Sequence, residues 1–136
     1  MRPARSHALA AVAALAVALS GCGGSSKPAY CSDRTDLENA VKDIGNVSVA
    51  QSGGLSELRS QLQKVEGSAT KLVGSAKSDF PTETGAIDTS VSKLKSDVQK
   101  LPSSPSPQQV ALVATDAKAV VTASQDFKKA SDSKCS

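Results

Sequence analysis

Tryptophan is absent from this 136-residue chain, histidine and tyrosine occur once each, methionine is present only as Met1, and phenylalanine occurs twice. So few rings point to a small and mainly aliphatic core of Leu, Val, Ile and Ala, with Phe127 and Phe80 as its aromatic candidates. Their scarcity also leaves little material for a pocket that grips its ligand by stacking. The one histidine, His7, lies near the N-terminus. Beyond it there is no His general base, no Ser–His or Cys–His pair and no His-containing zinc set. Asp, Glu, Lys and Ser remain, but without nucleophile–base spacing or a phosphate-cradling glycine loop, and the chain is not expected to be an enzyme. Asp33, Asp36 and Glu38 crowd one short stretch, yet their spacing matches no calcium loop and suits the first turns of a helix. Neither a metal nor another cofactor is expected. Charge is nearly balanced, with 16 Lys and Arg against 13 Asp and Glu, and no basic stripe marks a nucleic-acid partner.

Long apolar runs are missing as well. Ala8–Leu19 is an apolar run of 12 residues, against the roughly 20 needed to cross a bilayer. With Arg2 and Arg5 ahead of it, it has the n- and h-regions of a secretory signal. It ends in Leu19-Ser20-Gly21-Cys22, which resembles the lipobox of bacterial lipoproteins. The resemblance implies cleavage before Cys22, lipid on the Cys22 sulfur and attachment to the outer face of the plasma membrane. Two or more acyl chains make such an anchor stable. The expected division is a signal peptide over 1–21, a lipidated cysteine and flexible tether over 22–30, and a domain over 31–136. Loss of Arg2 and Arg5 leaves 14 basic residues against 13 acidic ones.

With Cys22 lipidated, Cys31 and Cys135 are the remaining thiols. In an oxidising compartment such a pair reads as a disulfide closing a loop of about 100 residues. Two reduced cysteines, or a bridge between chains, are the alternatives.

Apolar spacing predicts four helices. The first covers about Ser32–Asn46, with Leu37, Ala40, Val41 and Ile44 on one face and a capping-box pattern in Thr35-Asp36-Leu37-Glu38, against which Ser32 or Asp33 competes as the start. Val47–Gly54 breaks the pattern, with Val47-Ser48-Val49 as a short extended stretch and Gly53-Gly54 as a turn. The second helix carries a heptad seam: Leu55, Leu58, Leu62, Val65, Ala69, Leu72, Ala76. Gly67 and Gly74 lie on its polar face, as helix-weakening residues or as a groove for a partner. Ser78–Pro81 ends it. The third, about Thr82–Leu101, is capped by Thr82 and uses Ile87, Val91, Leu94, Val98 and Leu101. A proline-rich connection leads to Ser106-Pro107-Gln108-Gln109, a strong start for a fourth helix over about Pro107–Ser131. Its seam reads Val110, Val113, Ala117, Val120, Ser124 and Phe127, widened by Leu112 and Val121. Lys128, Lys129 and Lys134 read as a solvated helix end, with a basic membrane contact as the alternative.

Together these predict an all-α fold, an antiparallel up-down-up-down four-helix bundle closed by a terminal disulfide. An even number of antiparallel helices brings the first start and the last end together, where Cys31 and Cys135 stand. The layout is similar to small exported helical proteins of high-GC Gram-positive bacteria, through Cys31-Ser32-Asp33, Asp79-Phe80-Pro81-Thr82-Glu83-Thr84 and Lys134-Cys135. That resemblance implies a fold and carries no activity. The expected function is a non-enzymatic binding or structural module of the cell envelope, held to the membrane by lipid. A protein or cell-wall component would be its partner, at the bundle tip away from the tether or along a helix face. The alternative is a carrier of a small apolar or haem-like ligand within the bundle.

Overall fold

A computed structural model describes residues 27–136. Four helices follow one another, α1 Ala29–Gly45, α2 Gly54–Ala76, α3 Pro81–Gln99 and α4 Pro107–Cys135. No strand occurs among the described residues. Each helix packs on its two neighbours in a ring, α1 on α2 and α4, α3 on α2 and α4, with no diagonal contact. The fold is thus the all-α four-helix bundle the spacing predicts.

The α2 seam is buried from Leu58 to Ala76, with Leu55 half-buried at the start, and the α3 seam is buried at Ile87, Val91, Leu94 and Val98. At the start of α4 both halves of the capping box form. Gln109 donates its backbone N–H to Ser106 Oγ at 3.2 Å, and Ser106 donates its own to Gln109 Oε1 at 2.8 Å. Pro107 has no N–H to satisfy, so two of the three orphan donors of the first turn are thereby paired.

Several boundaries differ from the local pattern. Helix α1 begins at Ala29, so Ala29 and Tyr30 belong to the helix and not to the tether. The Thr35–Glu38 box is helix interior, where Thr35 Oγ1 donates to the carbonyl of Cys31 at 3.3 Å. Packing decides the start, because Tyr30 is buried and Cys31 is bonded across the bundle. Helix α3 starts one residue early on Pro81, after Phe80, and Thr84 Oγ1 returns a bond to the Phe80 carbonyl at 2.8 Å. Val47-Ser48-Val49 is loop and turn.

The turn before α2 needs its glycines. Gly53 has φ 81°, the left-handed region that glycine enters without a Cβ penalty. A Cβ on Gly54 would land on the Ser48 carbonyl. By contrast, Cβ atoms on Gly67, Gly74 and Gly85 would meet nothing within 4 Å. Those three are exposed helix-interior glycines that weaken their helices. Gly67→Ala, Gly74→Ala and Gly85→Ala are each expected to stabilise the domain by about 0.4–1 kcal/mol. Gly54→Ala is expected to destabilise it by about 1–3 kcal/mol, as overpacking against backbone does. Urea denaturation of the four variants checks both signs.

Each neighbouring helix pair also carries a polar clip. Ser75 Oγ donates to Asp33 at 2.6 Å between α2 and α1. Lys95 pairs with Glu66 at 2.8 Å between α3 and α2. Lys93 of α3 pairs with Asp116 of α4, and Arg34 of α1 with Asp132 of α4 at 2.9 Å.

Candidate functional site

The two ends of the bundle are built differently. At the end where α1 starts and α4 finishes, Cys31 and Cys135 form a disulfide with Cα atoms 5.5 Å apart. This is the pairing expected from the cysteine count. All three aromatic residues of the chain gather beside it. The Phe80 ring lies 5.5 Å from Tyr30 and 5.3 Å from Phe127, and Tyr30 and Phe127 are 6.1 Å apart, every pair edge-to-face. Such contacts add to burial because ring edges are positive and faces negative. Burial first, and the Asp79 carboxylate second, push the Tyr30 phenol above its ordinary pKa. Arg34 completes this end, donating to the Lys128 carbonyl, Ser131 Oγ and Asp132.

The same contacts set the register of α1 against α4. Cys31 stands level with Cys135, and three residues on, Arg34 stands level with Asp132, three residues back. Continued along the helices, that register puts Gly45, the last residue of α1, level with Val121. Helix α4 has 29 residues and α1 has 17, a difference of about 18 Å at 1.5 Å per residue. The first half of α4 therefore runs past the end of α1, with none of the described helices facing it on that side.

A cleft opens there. Its middle section, about 440 Å³, is lined by Val41 and Ile44 of α1, Leu58 of α2 and Val113, Ala117 and Val121 of α4, with Val47 and Val49 of the α1–α2 loop closing over it. Towards the tip a neighbouring hollow of about 880 Å³, which shares Val49, Val110 and Ala114 with it, lies between the Val49–Gly53 loop and the Ser103–Pro105 connection. On the other side a hollow of about 250 Å³ shares Val41 and Val121 with it and lies between α1 and α4, lined by Glu38, Lys42 and Lys128. The middle section is within the size range of small-molecule sites and has the expected aliphatic lining.

This arrangement explains where the α4 seam departs from the sequence pattern. Val113, Val120, Ser124 and Phe127 of the expected seam are buried, and Asp116 and Ala123 join them on the side away from Val110 and Ala117. Val110, Ala117 and Val121 are only half-buried, and Ala114 is exposed. These four, spaced i, i+4, i+7, i+11, form a second apolar stripe along the cleft. Leu112, expected to widen the core, is 48% exposed and lies on the outer side. The helix also continues four residues past Ser131, held by buried Ser131 and by the disulfide at Cys135.

Asp116 is the residue that pattern reading misses, a carboxylate only 4% exposed within an apolar seam. Lys93 reaches it from α3 and also bonds Asp97 at 3.0 Å, so one ammonium bridges two carboxylates. Shared with Asp116, the Lys93 ammonium holds the Asp97 carboxyl below its ordinary pKa. Bonds to Asp116 and then Asp97 raise that of Lys93. A depressed carboxylate contributes stability that is fully present above its unfolded pKa and is lost as pH falls through the folded one. The raised lysine contributes stability that is lost only as pH climbs above the ordinary lysine range. Acid titration of stability below about pH 4 should therefore be shallower for Asp97→Asn than for the wild type. Urea midpoints across that range measure it, and parallel acid limbs would contradict the assignment.

The fold and its clasp define a small four-helix bundle protein closed between its first and last helices. No protein-family model, no curated protein and no solved structure matches the chain. No helix among the described residues is long and apolar enough to cross a membrane. The leader and Leu19-Ser20-Gly21-Cys22 lie outside the described residues.

Proposed function

We propose that this chain is a lipid-anchored, extracytoplasmic and non-enzymatic binding module of the cell envelope, attached through Cys22 to the outer face of the plasma membrane. Its binding surface is the cleft at the bundle tip. The observation that carries this reading is the polarity of the bundle. The chain enters α1 at the end locked by the disulfide, the aromatic triad and Arg34, while the apolar stripe of α4 is only partly covered by the described residues towards the other end. A module tethered at its rigid end presents its open end away from the anchor.

The carrier reading also gains from the cleft, in its apolar form. The haem-like form does not, because Tyr30 is the only tyrosine and is packed between two phenylalanines at the opposite end. A protein or cell-wall partner would meet the tip between the Val49–Gly53 loop and the Ser103–Pro105 connection.

Two measurements on the full chain in cells test this. Palmitate labelling and membrane association should be present in the wild type and lost in Cys22→Ala, and an unlabelled wild type would overturn the anchor. A photoreactive side chain at Ala114, on the cleft, should give a discrete adduct that the same group at Ser92, exposed on α3, does not. Equal adducts at both, or none at Ala114, would overturn the tip assignment.

A further inference from the structure

We infer that the cleft between α1 and α4 binds a long-chain fatty acid, its hydrocarbon along the Val110–Ala114–Ala117–Val121 stripe and its carboxylate at Lys118. The inference rests on the reading of the cleft as the binding surface, in its apolar carrier form, and names the ligand class.

Shape comes first. Three hollows follow one another along α4, the middle one sharing Val49, Val110 and Ala114 with the first and Val41 and Val121 with the last, a row that suits one extended chain better than a compact ring system. The walls of the middle one are aliphatic and come from α1, α2, α4 and the Val47–Val49 loop. No aromatic side chain lines it, which removes the stacking that a planar ligand would use. Burying methylenes needs no directional partner and contributes about 0.8 kcal/mol for each.

Charge then selects the head group. Among the described residues Lys118 is the only charged one that lines the middle section. Lys42 lines the next hollow towards the disulfide end, and neither lysine forms an ion pair among the described residues. Further along, Lys128 has Asp132 at 3.9 Å, and Glu38 adds the one carboxylate lining that hollow among the described residues. The cationic sites nearest the apolar wall are thus unmatched, and a single carboxylate on an apolar chain complements them.

The test uses the full chain with Cys22→Ser, purified without detergent, and parinaric acid as a fluorescent probe displaced by oleate or by uncharged oleyl alcohol. Saturable one-to-one binding of oleate is expected. Lys118→Glu, at an exposed position, should weaken oleate about tenfold and leave oleyl alcohol unchanged. Val121→Trp, which fills the cleft, should abolish both, with the disulfide and helix content checked to exclude misfolding. Absence of saturable binding, or binding unaffected by Val121→Trp, would overturn the site. Equal affinity for oleate in Lys118→Glu would overturn the carboxylate assignment. If oleate does not bind but Ala114 still gives its adduct in cells, the fatty acid is wrong and the tip-binding reading stands. If both fail, both readings fall together.

Discussion

Replacing Cys31 and Cys135 together by serine is expected to remove about 4–5 kcal/mol of stability by the chain-entropy treatment. The bond spans 104 residues of sequence, nearly the whole described chain, so its loss frees almost the largest loop this domain can close. Measured losses for such bonds are often smaller, about 2–4 kcal/mol. Either figure is a large share of the roughly 5–15 kcal/mol typical of a folded domain. The variant should still be helical, because the Arg34 contacts and the aromatic triad hold the same end together in the folded state. The effect should fall on the unfolded state. Urea denaturation ought therefore to show a lower midpoint and a steeper slope in the variant, since an uncrosslinked chain exposes more surface. A loss below about 1 kcal/mol would mean that the unfolded chain already keeps its ends together, or that the bond distorts the native helices.

The disulfide does a second thing that its energy does not describe. By holding Cys31 level with Cys135 it fixes which part of α4 has α1 beside it and which part does not. A one-turn slip would move the uncovered stretch by about 5.4 Å and carry Val121 out from under the end of α1. The cleft therefore depends on three things together: a short α1, a long α4 and a clasp at one end. The loop that partly fills the gap depends in turn on Gly53 and Gly54, whose backbone lets it fold down beside Ser48.

Features set by neighbours in sequence were legible in the sequence. The seams of α2 and α3 and the cap at Ser106 follow from spacing over one or two turns, and the structure places them as read. The cysteine pair was legible through topology, because four antiparallel helices leave the two termini at one end. The start of α1 was not. Its local capping signals lie at Ser32, Asp33 and Thr35, and what overrides them is the burial of Tyr30 against Phe80 and Phe127, residues from distant parts of the chain. Asp116 was hidden for a related reason. A charged residue is assigned to the outer face by pattern, and only Lys93, from another helix, makes its burial tolerable.

The cleft stood between these cases. Half of its wall, Val110, Ala117 and Val121, was visible as apolar spacing on the fourth helix but was assigned to the core. The signal that would have corrected this was present in the helix lengths. A first helix of 15 residues cannot cover a fourth of 25 when both are joined at one end, and the excess must face a loop, a partner or solvent. Apolar residues on that excess are candidates for binding. The Lys118 position has meaning only once the register is known.

Phe127→Ala is expected to cost about 3–5 kcal/mol, the usual loss when a fully enclosed phenylalanine is truncated. Phe127 has no exposed surface and is one of the three rings of the triad. Its removal leaves a closed cavity, because the disulfide and Arg34 keep α1 from moving in. In a double-mutant cycle with Phe80→Ala the pair should show a coupling of about 0.5–1.5 kcal/mol, as edge-to-face rings do. Val113→Ala supplies the comparison at the other end. Val113 is nearly as buried, but it lines the cleft, so its truncation enlarges a space already open to solvent. Its cost should be close to the transfer free energy of the lost methyls, about 1–2 kcal/mol. Urea denaturation of the two variants thus measures how unequal the ends are. A Val113 loss as large as that at Phe127 would mean that the tip is packed as tightly as the clasp. The cleft would then lack the room for a ligand that its place in the fold provides.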